Sequence, residues 1–510
     1  MVAFGVLVSL LPLLYLMIRT AQIGLVDLIE NLVRVRTLEL IVNSLSLSVA
    51  VCLTAVTIGT VQAWLVYRSD ISYKKFFRLV AIVPLAFPSY VLAYAWISVS
   101  SAVSGFLGSW LVLSISTAPY VFLAVTAALR RHNSASEEVA RTLGRSQFSV
   151  AKSITWPAIR PAALGSGLLV ALYTLSDFGA VSLMRFDTFT RAIYNAYRAS
   201  FDRNTAAALA LILIALTLVL IYLENRTRIS HASVAIDQFR VLKTKLGPWK
   251  GVAQLGLSIW FILGVAIPIA SIFYWTVIGQ SRANFGEISR AFVNTLGYGI
   301  AGGVLVAFFG LAIAILVVRY PGKYSGRVEQ TILITHALPG VVVALSFVFL
   351  VNQSIPILYQ TSALVLMTYL ALFLPNAVTV LKVPIAQVPI GIEEVARTLG
   401  SNPIQTLRRV VIPAAAPGIL SAVAFVGLTV IKELPATLIL RPTGIETLAT
   451  RLWSATSVNA FSAAAPYALL LILIAGIPAL LVNREIRSVQ NQSNLEVDTS
   501  SAKLDISEVK

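Results

Sequence analysis

Long apolar stretches recur along almost the whole chain and alternate with short polar segments. Each stretch holds roughly 20 residues, the length that an α-helix needs to cross the hydrocarbon core of a bilayer. That core offers backbone groups no water, and a helix satisfies them internally. The pattern predicts an all-α, polytopic membrane protein with about twelve transmembrane helices. The expected spans lie near residues 2–18, 41–66, 79–100, 109–129, 162–183, 204–223, 252–277, 293–318, 330–351, 362–381, 418–440 and 463–483.

The spans form two sets of six, and polar landmarks recur between the sets. Asn43-Ser44 in the second span matches Asn294-Thr295 in the eighth, 251 residues later. An identical octapeptide, EEVARTLG, occupies residues 137–144 and 393–400, an offset of 256. An even number of spans gives both halves the same orientation, which predicts two parallel six-helix repeats. We expect the first repeat at 1–223, a cytoplasmic linker at 224–250, the second repeat at 251–483 and a polar cytoplasmic tail at 484–510.

Basic residues concentrate on one side of the membrane if the N-terminus is cytoplasmic. The inside segments then hold 27 Lys and Arg, whereas the outside segments hold 11, all of them Arg. This bias predicts that both termini are cytoplasmic. It also absorbs most of the formal net charge of +17, so the charge does not require a nucleic-acid partner. The first apolar run lacks a basic flank and a cleavage site of small residues, and we expect it to remain as a span.

Composition argues against several classes of function. The chain is 57% hydrophobic and 12% charged, whereas soluble domains carry about 25% charged residues. Three His and one Cys make a protein-built metal centre improbable, and we expect no cofactor. No catalytic constellation stands out, so the sequence predicts a transport subunit rather than an enzyme.

The repeated octapeptide has the composition of a helix that ends in a turn. Acidic residues lie near its start, where they favour the helix dipole. Gly144 and Gly400 can adopt the left-handed conformation that stops a helix. In the second copy, Asn402 can cap a new helix. We expect Pro157 and Pro413 to end that short helix before the next span. The sequence therefore predicts a helix–turn–helix elbow at the cytoplasmic face of each repeat.

These elbows resemble the EAA loop of ABC importer permeases, whose pattern is E-A-A-x3-G-x9-I-x-L-P. Valine replaces the first alanine of the pattern in both copies. In that family the elbow docks in a cleft of the ATPase, so the resemblance implies two separate ATP-binding cassette ATPase subunits as partners. The chain itself has no G-x4-G-K-[ST] phosphate loop. The residues implied in coupling are Glu137, Glu138, Ala140, Gly144 and Pro157, then Glu393, Glu394, Ala396, Gly400 and Pro413.

A plainer interpretation of each elbow is an amphipathic surface loop whose acids are neutralised by Arg141 and Arg397. An ion-coupled secondary transporter also has parallel halves. It would carry coupling charges near the midplane of the membrane, where these spans have almost none, and it has no need of two identical cytoplasmic elbows.

The segments Ser176 to Tyr194 and Lys432 to Trp453, with the fused two-repeat layout, resemble the permeases of bacterial ferric-iron uptake systems. This resemblance implies a multi-pass protein of the bacterial inner membrane that receives ferric iron from an extracytoplasmic solute-binding protein. Fused thiamine permeases share the layout, and polyamine and sulfate permeases are more distant. Thiamine, a polyamine or another small solute therefore stays open as the substrate.

Two groups of outer residues are candidates for function. Asp177 and Glu433 occupy equivalent positions near the outer ends of spans 5 and 11, and intramembrane acids are usually functional. They are candidates for a translocation path or an outer gate, although each could instead lie at the headgroup level. Arginines in the outer loops could pair with an acidic rim on the binding protein or with lipid phosphates. The candidates are Arg185, Arg191, Arg441 and Arg451.

Overall fold

The computed structural model describes residues 1–23, 33–132, 135–198, 203–227, 244–279, 284–335 and 338–476. Within these ranges the regular secondary structure is helical, apart from one isolated β-bridge between Ser69 and Thr244. This confirms the all-α fold class. The tail at 484–510, the end of the twelfth span and the middle of the linker, 228–243, lie outside the described residues.

We number ten α-helices in each half of the described part of the chain, and each helix of the first half has a counterpart numbered ten higher. The short 3-10 helices Val83–Ala86 and Pro356–Leu358 are left unnumbered. The first half comprises α1 Val2–Ile23, α2 Val35–Arg68, α3 Lys74–Ile82, α4 Ser89–Val99, α5 Gly105–Arg131, α6 Ala135–Thr142, α7 Gln147–Ser176, α8 Gly179–Leu183, α9 Phe189–Arg198 and α10 Arg203–Thr227. The second half comprises α11 Trp249–Val277, α12 Phe285–Arg319, α13 Lys323–Thr335, α14 Gly340–Ser354, α15 Ser362–Gln387, α16 Ile390–Thr398, α17 Pro403–Ile431, α18 Pro435–Leu440, α19 Leu448–Ser457 and α20 Phe461–Gly476.

Every expected span corresponds to helical structure, but not every span is one straight helix. Nine of the described helices are long and apolar enough to cross a membrane, namely α1, α2, α5, α7, α10, α11, α12, α15 and α17. The third and ninth spans are broken: α3 with α4 bends by 99°, and α13 with α14 bends by 100°. The helix α20 is a shorter apolar helix within the described residues.

Prolines explain where the broken spans begin again. Pro88 and Pro339 directly precede α4 and α14, with the extended backbone (ψ 146° and 143°) of a helix entry. Proline disfavours the helical conformation of the residue before it, and Phe87 is accordingly extended. Hydropathy alone predicts a single span at each of these places, because a window average carries no information on the direction of the chain.

The landmarks that predicted the repeat make the same contacts in both halves. Asn43 and Asn294 each donate a side-chain hydrogen bond to an outer-loop carbonyl, and Ser44 and Thr295 each accept from the first backbone N–H of an outer helix. The four bonds are Asn43 Nδ2 to Asp187 O (3.1 Å), Asn294 Nδ2 to Glu446 O (3.0 Å), Phe189 N to Ser44 Oγ (3.2 Å) and Leu448 N to Thr295 Oγ1 (2.8 Å). The halves are therefore structural repeats.

The first helix of each half packs on the other half. The helix α1 lies against α12 to α15, with Phe4 and Phe309 ring centroids 5.2 Å apart. In return, α11 lies against α3 to α5, with Phe76 and Phe261 centroids 5.2 Å apart. Neither half is thus a self-contained bundle.

Candidate functional site

The first elbow, residues 135–155, ends its first helix with a Schellman motif. Gly144 has φ +80°, and its N–H donates to Arg141 O at 3.0 Å while Arg145 N–H donates to Ala140 O at 3.1 Å. These two bonds satisfy carbonyls that the end of α6 would otherwise leave free. The conformation confirms the predicted turn at glycine.

The second elbow, residues 390–411, repeats this geometry. Gly400 has φ +86° and donates to Arg397 O at 3.0 Å, and Ser401 donates to Ala396 O at 3.0 Å. Asn402 then forms a capping box with Gln405 at the start of α17, as its residue type predicts. The two elbows are therefore the same structural element, each a helix, a turn and a second helix.

One expectation about the elbows is wrong. Pro157 and Pro413 do not end the short second helix, which continues into the span as a single helix through a π turn at Ala151–Thr155 or Leu407–Val411. Trp156 N–H donates to Ala151 O, five residues back. A proline ring clashes with the carbonyl four residues before it, and the wider π turn relieves that clash. The helix α11 also contains a π turn, at Ile262–Ala266, before Pro268.

The first glutamate of each octapeptide is buried in an ion pair with the core of its own half. Glu137 lies 3.4 Å from Arg68 Nη1 and accepts a hydrogen bond from Thr155 Oγ1 at 2.8 Å. Glu393 lies 2.7 Å from Arg319 Nε. Both arginines end a long span, α2 or α12, and both also donate to carbonyls at the end of α5 or α15. These pairs fix each elbow to its bundle.

The plainer interpretation of the acids is only partly right. Arg397 does approach Glu393, at 3.9 Å, but its side chain is 52% exposed. Arg141 makes no ion pair with Glu137 in the described residues and donates instead to Thr244 Oγ1 at 3.0 Å. The buried acids are neutralised mainly from the membrane bundle, not from within the elbow.

The outward side of each elbow carries one acid and three large apolar side chains. We call these sets the elbow faces, and all eight side chains are exposed. The most exposed of them, Leu143, Phe148, Leu399 and Ile404, are 76–81% exposed. The first elbow face is Glu138, Val139, Leu143 and Phe148, and the second is Glu394, Val395, Leu399 and Ile404.

Phe148 and Ile404 were not predicted as site residues. A signal was present in the sequence, since both are apolar and both follow the turn glycine by four residues. Exposed apolar side chains that cluster on a polar surface mark sites of protein–protein contact. The arrangement can therefore bind an apolar cleft, with the exposed glutamate at its edge.

At the other side of the membrane, Asp177 and Glu433 both cap short helices. Asp177 accepts hydrogen bonds from Ser89 Oγ (2.5 Å) at the start of α4 and from the N–H of Ala180 (2.9 Å) in α8. Glu433 accepts from the N–H of Ala436 (3.0 Å) in α18. Each acid thus joins the end of a span to a short helix, and Asp177 also joins it to a broken span.

Lys432, beside Glu433, reaches into the first half. Its Nζ donates to the carbonyl of Leu85 at 2.9 Å, in the break between α3 and α4. Aromatic rings also join the two halves, since the ring centroid of Trp453 lies 5.8 Å from that of Tyr194 and 6.3 Å from that of Phe178. The two halves are thus in direct contact on the side opposite the elbows.

The four candidate arginines of the outer loops differ in their surroundings. Arg191 pairs with Asp187 at 2.5 Å, Arg441 pairs with Glu446 at 2.9 Å, and Arg451 pairs with Glu446 and Glu287. Arg185 is exposed, has φ +56°, and donates to the neutral Asn459 at 3.3 Å. Among these four, Arg185 makes no ion pair within the described residues.

The chain is similar in sequence to known transport proteins. The chain matches the family described as binding-protein-dependent transport system inner membrane component twice, over residues 55–226 and 321–488. It is 34% identical to the Fe(3+)-transport system permease protein FbpB 2 of Haemophilus influenzae, over 93% of this chain and 95% of that protein. It is 24% identical to the ferric transport system permease protein FbpB of Actinobacillus pleuropneumoniae, over 75% and 62%. The molybdenum transport system permease protein ModB of Escherichia coli is 29% identical, over 38% of this chain and 94% of its own.

Proposed function

This chain belongs to the family of binding-protein-dependent transport inner membrane components, and from that premise we propose that it moves ferric iron and takes its energy through its two elbows. It is a multi-pass inner membrane permease of a binding-protein-dependent importer. We propose further that two separate ATPase subunits hydrolyse ATP and that each binds one elbow. Both termini are then cytoplasmic, and the repeats at 1–223 and 251–483 are joined by the linker at 224–250.

One observation carries the coupling proposal: both elbow faces present a glutamate, a valine and a leucine from the same turn, and each adds a large apolar side chain, Phe148 or Ile404. Each face is fixed by a buried pair, Glu137 with Arg68 or Glu393 with Arg319. A surface that must transmit force needs such an anchor, because a loose loop would move without moving the span. The π turns make each elbow continuous with α7 or α17. A displacement of the elbow face by the ATPase would therefore move the span itself.

Ferric iron as substrate is supported by relatives and not by a binding site. The near full-length relative from Haemophilus influenzae is named as an Fe(3+)-transport permease. The carboxylates of Asp177 and Glu433 already accept hydrogen bonds, so we assign them to an outer gate that holds the short helices in place rather than to iron ligands. Opening of that gate would separate the halves where Lys432 meets Leu85.

The proposal is tested by uptake in cells that lack this chain. Deletion should abolish uptake of radioactive iron and leave thiamine uptake intact, and the wild-type chain purified from complemented cells should bring an ATPase chain with it. Asp177→Asn with Glu433→Gln should slow iron uptake, because the amides weaken two caps at the gate. Loss of thiamine uptake with intact iron uptake would refute the substrate, and purification without any ATPase would refute the coupling.

A further inference from the structure

The end of the linker between the halves is bound to the first elbow. We call residues 244–248 the linker end. Thr244 N–H donates to Arg68 O at 2.7 Å, and Asp70 N–H donates to Thr244 O at 3.2 Å. These bonds pair Thr244 with Ser69 in the isolated bridge, and the Thr244 side chain is buried. The linker end therefore lies directly beside Arg68, which anchors the elbow.

Side chains strengthen this contact from both directions. Arg141 Nη2 donates to Thr244 Oγ1 at 3.0 Å, and Asp70 Oδ1 accepts the N–H of Leu246 at 2.9 Å. That N–H binds the ionised carboxylate and holds the pKa of Asp70 below its ordinary value. Arg141 belongs to the repeated octapeptide, so the linker end contacts the elbow itself and not only the bundle behind it.

The second elbow cannot make the same contact. At the offset of 251 residues, Asp70 corresponds to Pro321, which has neither a carboxylate nor a backbone N–H. Arg397, the counterpart of Arg141, is more than half exposed and approaches Glu393 of its own elbow. Within the described residues, two identical octapeptides therefore have different neighbours, and the difference arises from the linker end.

We propose that the linker end is a built-in part of the first elbow, where it holds Arg141 and positions the first elbow face, so that the two ATPase subunits bind non-equivalent surfaces. This inference rests on the proposed coupling function. The linker end also adds the exposed Lys245 next to the first elbow. The fused chain thus differs from a symmetric pair of permeases in how firmly each coupling surface is held.

The test compares the two elbows within one complex. Cys52→Ala removes the single native cysteine, and Phe148→Cys or Ile404→Cys then places one cysteine on one elbow face. Each chain is assembled with its ATPase partner in membranes, and the rate of cysteine cross-linking to the ATPase is measured. Asp70→Ala with Thr244→Val removes the two side-chain contacts of the linker end but leaves both elbow faces unchanged.

We expect that double variant to slow cross-linking at position 148 about thirtyfold, as the loss of two net hydrogen bonds implies, and to leave position 404 unchanged. Cleavage of the assembled complex at a protease site introduced within 228–243 should alter neither rate. The linker end is held by its own hydrogen bonds and does not depend on an intact connection to the first half. Equal slowing at both positions, or at neither, would overturn the inference while the coupling proposal stands. Failure of both introduced cysteines to cross-link when Asp70 and Thr244 are native would overturn the coupling proposal itself.

Discussion

Adjacent glutamates of the octapeptide have opposite environments. Glu137 is 4% exposed and paired with Arg68, whereas Glu138 is exposed on the elbow face. Neighbours on a helix point about 100° apart, so one residue faces the bundle and the next faces away from it. Burial gives the first glutamate a structural part and leaves the second free to meet a partner. The sequence alone placed both in one coupling loop, since residue type does not reveal which side of a short helix is covered.

Replacement of Glu137 by Gln should destabilise the protein by about 3 kcal/mol, because it leaves the Arg68 charge buried without its partner. Glu138→Gln should change the free energy of unfolding by less than about 0.5 kcal/mol, as exposed substitutions do, and should weaken ATPase association. Thermal unfolding of the two variants in detergent separates these effects. Equal melting temperatures of the two variants would contradict the assigned burial. The single variants Glu393→Gln and Glu394→Gln provide the matched comparison in the second half.

At the scale of single elements, the turns were predictable and the joins between helices were not. Gly144 and Asn402 carry local conformational preferences that can be read without knowledge of the fold. The π turns depend on how the chain avoids a clash at Pro157 while it keeps a span straight, which is a property of the whole helix. The broken spans have the same origin, since Pro88 marks a break only when the neighbouring helices fix the direction of α4.

The double variant Gly144→Val with Gly400→Val should lose ATPase association while it still inserts in the membrane. A β-branched residue at positive φ costs about 1–3 kcal/mol per site, and a β-carbon at either glycine would meet no atom within 4 Å, so backbone strain alone is tested. Gly444→Val is the matched control, because Gly444 has φ +81° and equal space but lies in an outer loop. Co-purification of the ATPase is the measurement, and full recovery with the double variant would contradict the role of the turns.

For the whole molecule, duplication was visible in the sequence, but the packing of the first helix of each half on the other half was not. Repeated landmarks establish that the halves are equivalent, yet hydropathy carries no information on which helices touch. The same limit applies to the outer loops. The sequence offers Arg191, Arg441 and Arg451 as partners of a binding protein or of lipid phosphates, and the structure pairs each with an acid of the same chain.

Arg185 is therefore the sharpest test of binding-protein docking. Arg185→Glu should weaken binding of the loaded binding protein about tenfold at low ionic strength, with the loss shrinking as the Debye length falls to about 8 Å at 0.15 M salt. Arg185→Lys keeps the charge and should retain most of the affinity. Unchanged affinity of the Glu variant at low salt would instead favour lipid phosphates as the partner of these loops.

The packing of the first helix of each half on the other half also sets an order of events during synthesis. The helix α1 ends at Ile23, whereas its partners in α12 to α15 begin only at Phe285. At roughly 5–20 residues per second, the ribosome needs about 13–52 s to reach the first of them. During that interval α1 resides in the bilayer with lipid or insertion machinery against the face that Phe309 and Phe349 later cover. The first half is thus synthesised early but matures late, and a nascent chain that stalls in the linker leaves a bundle without its final neighbour.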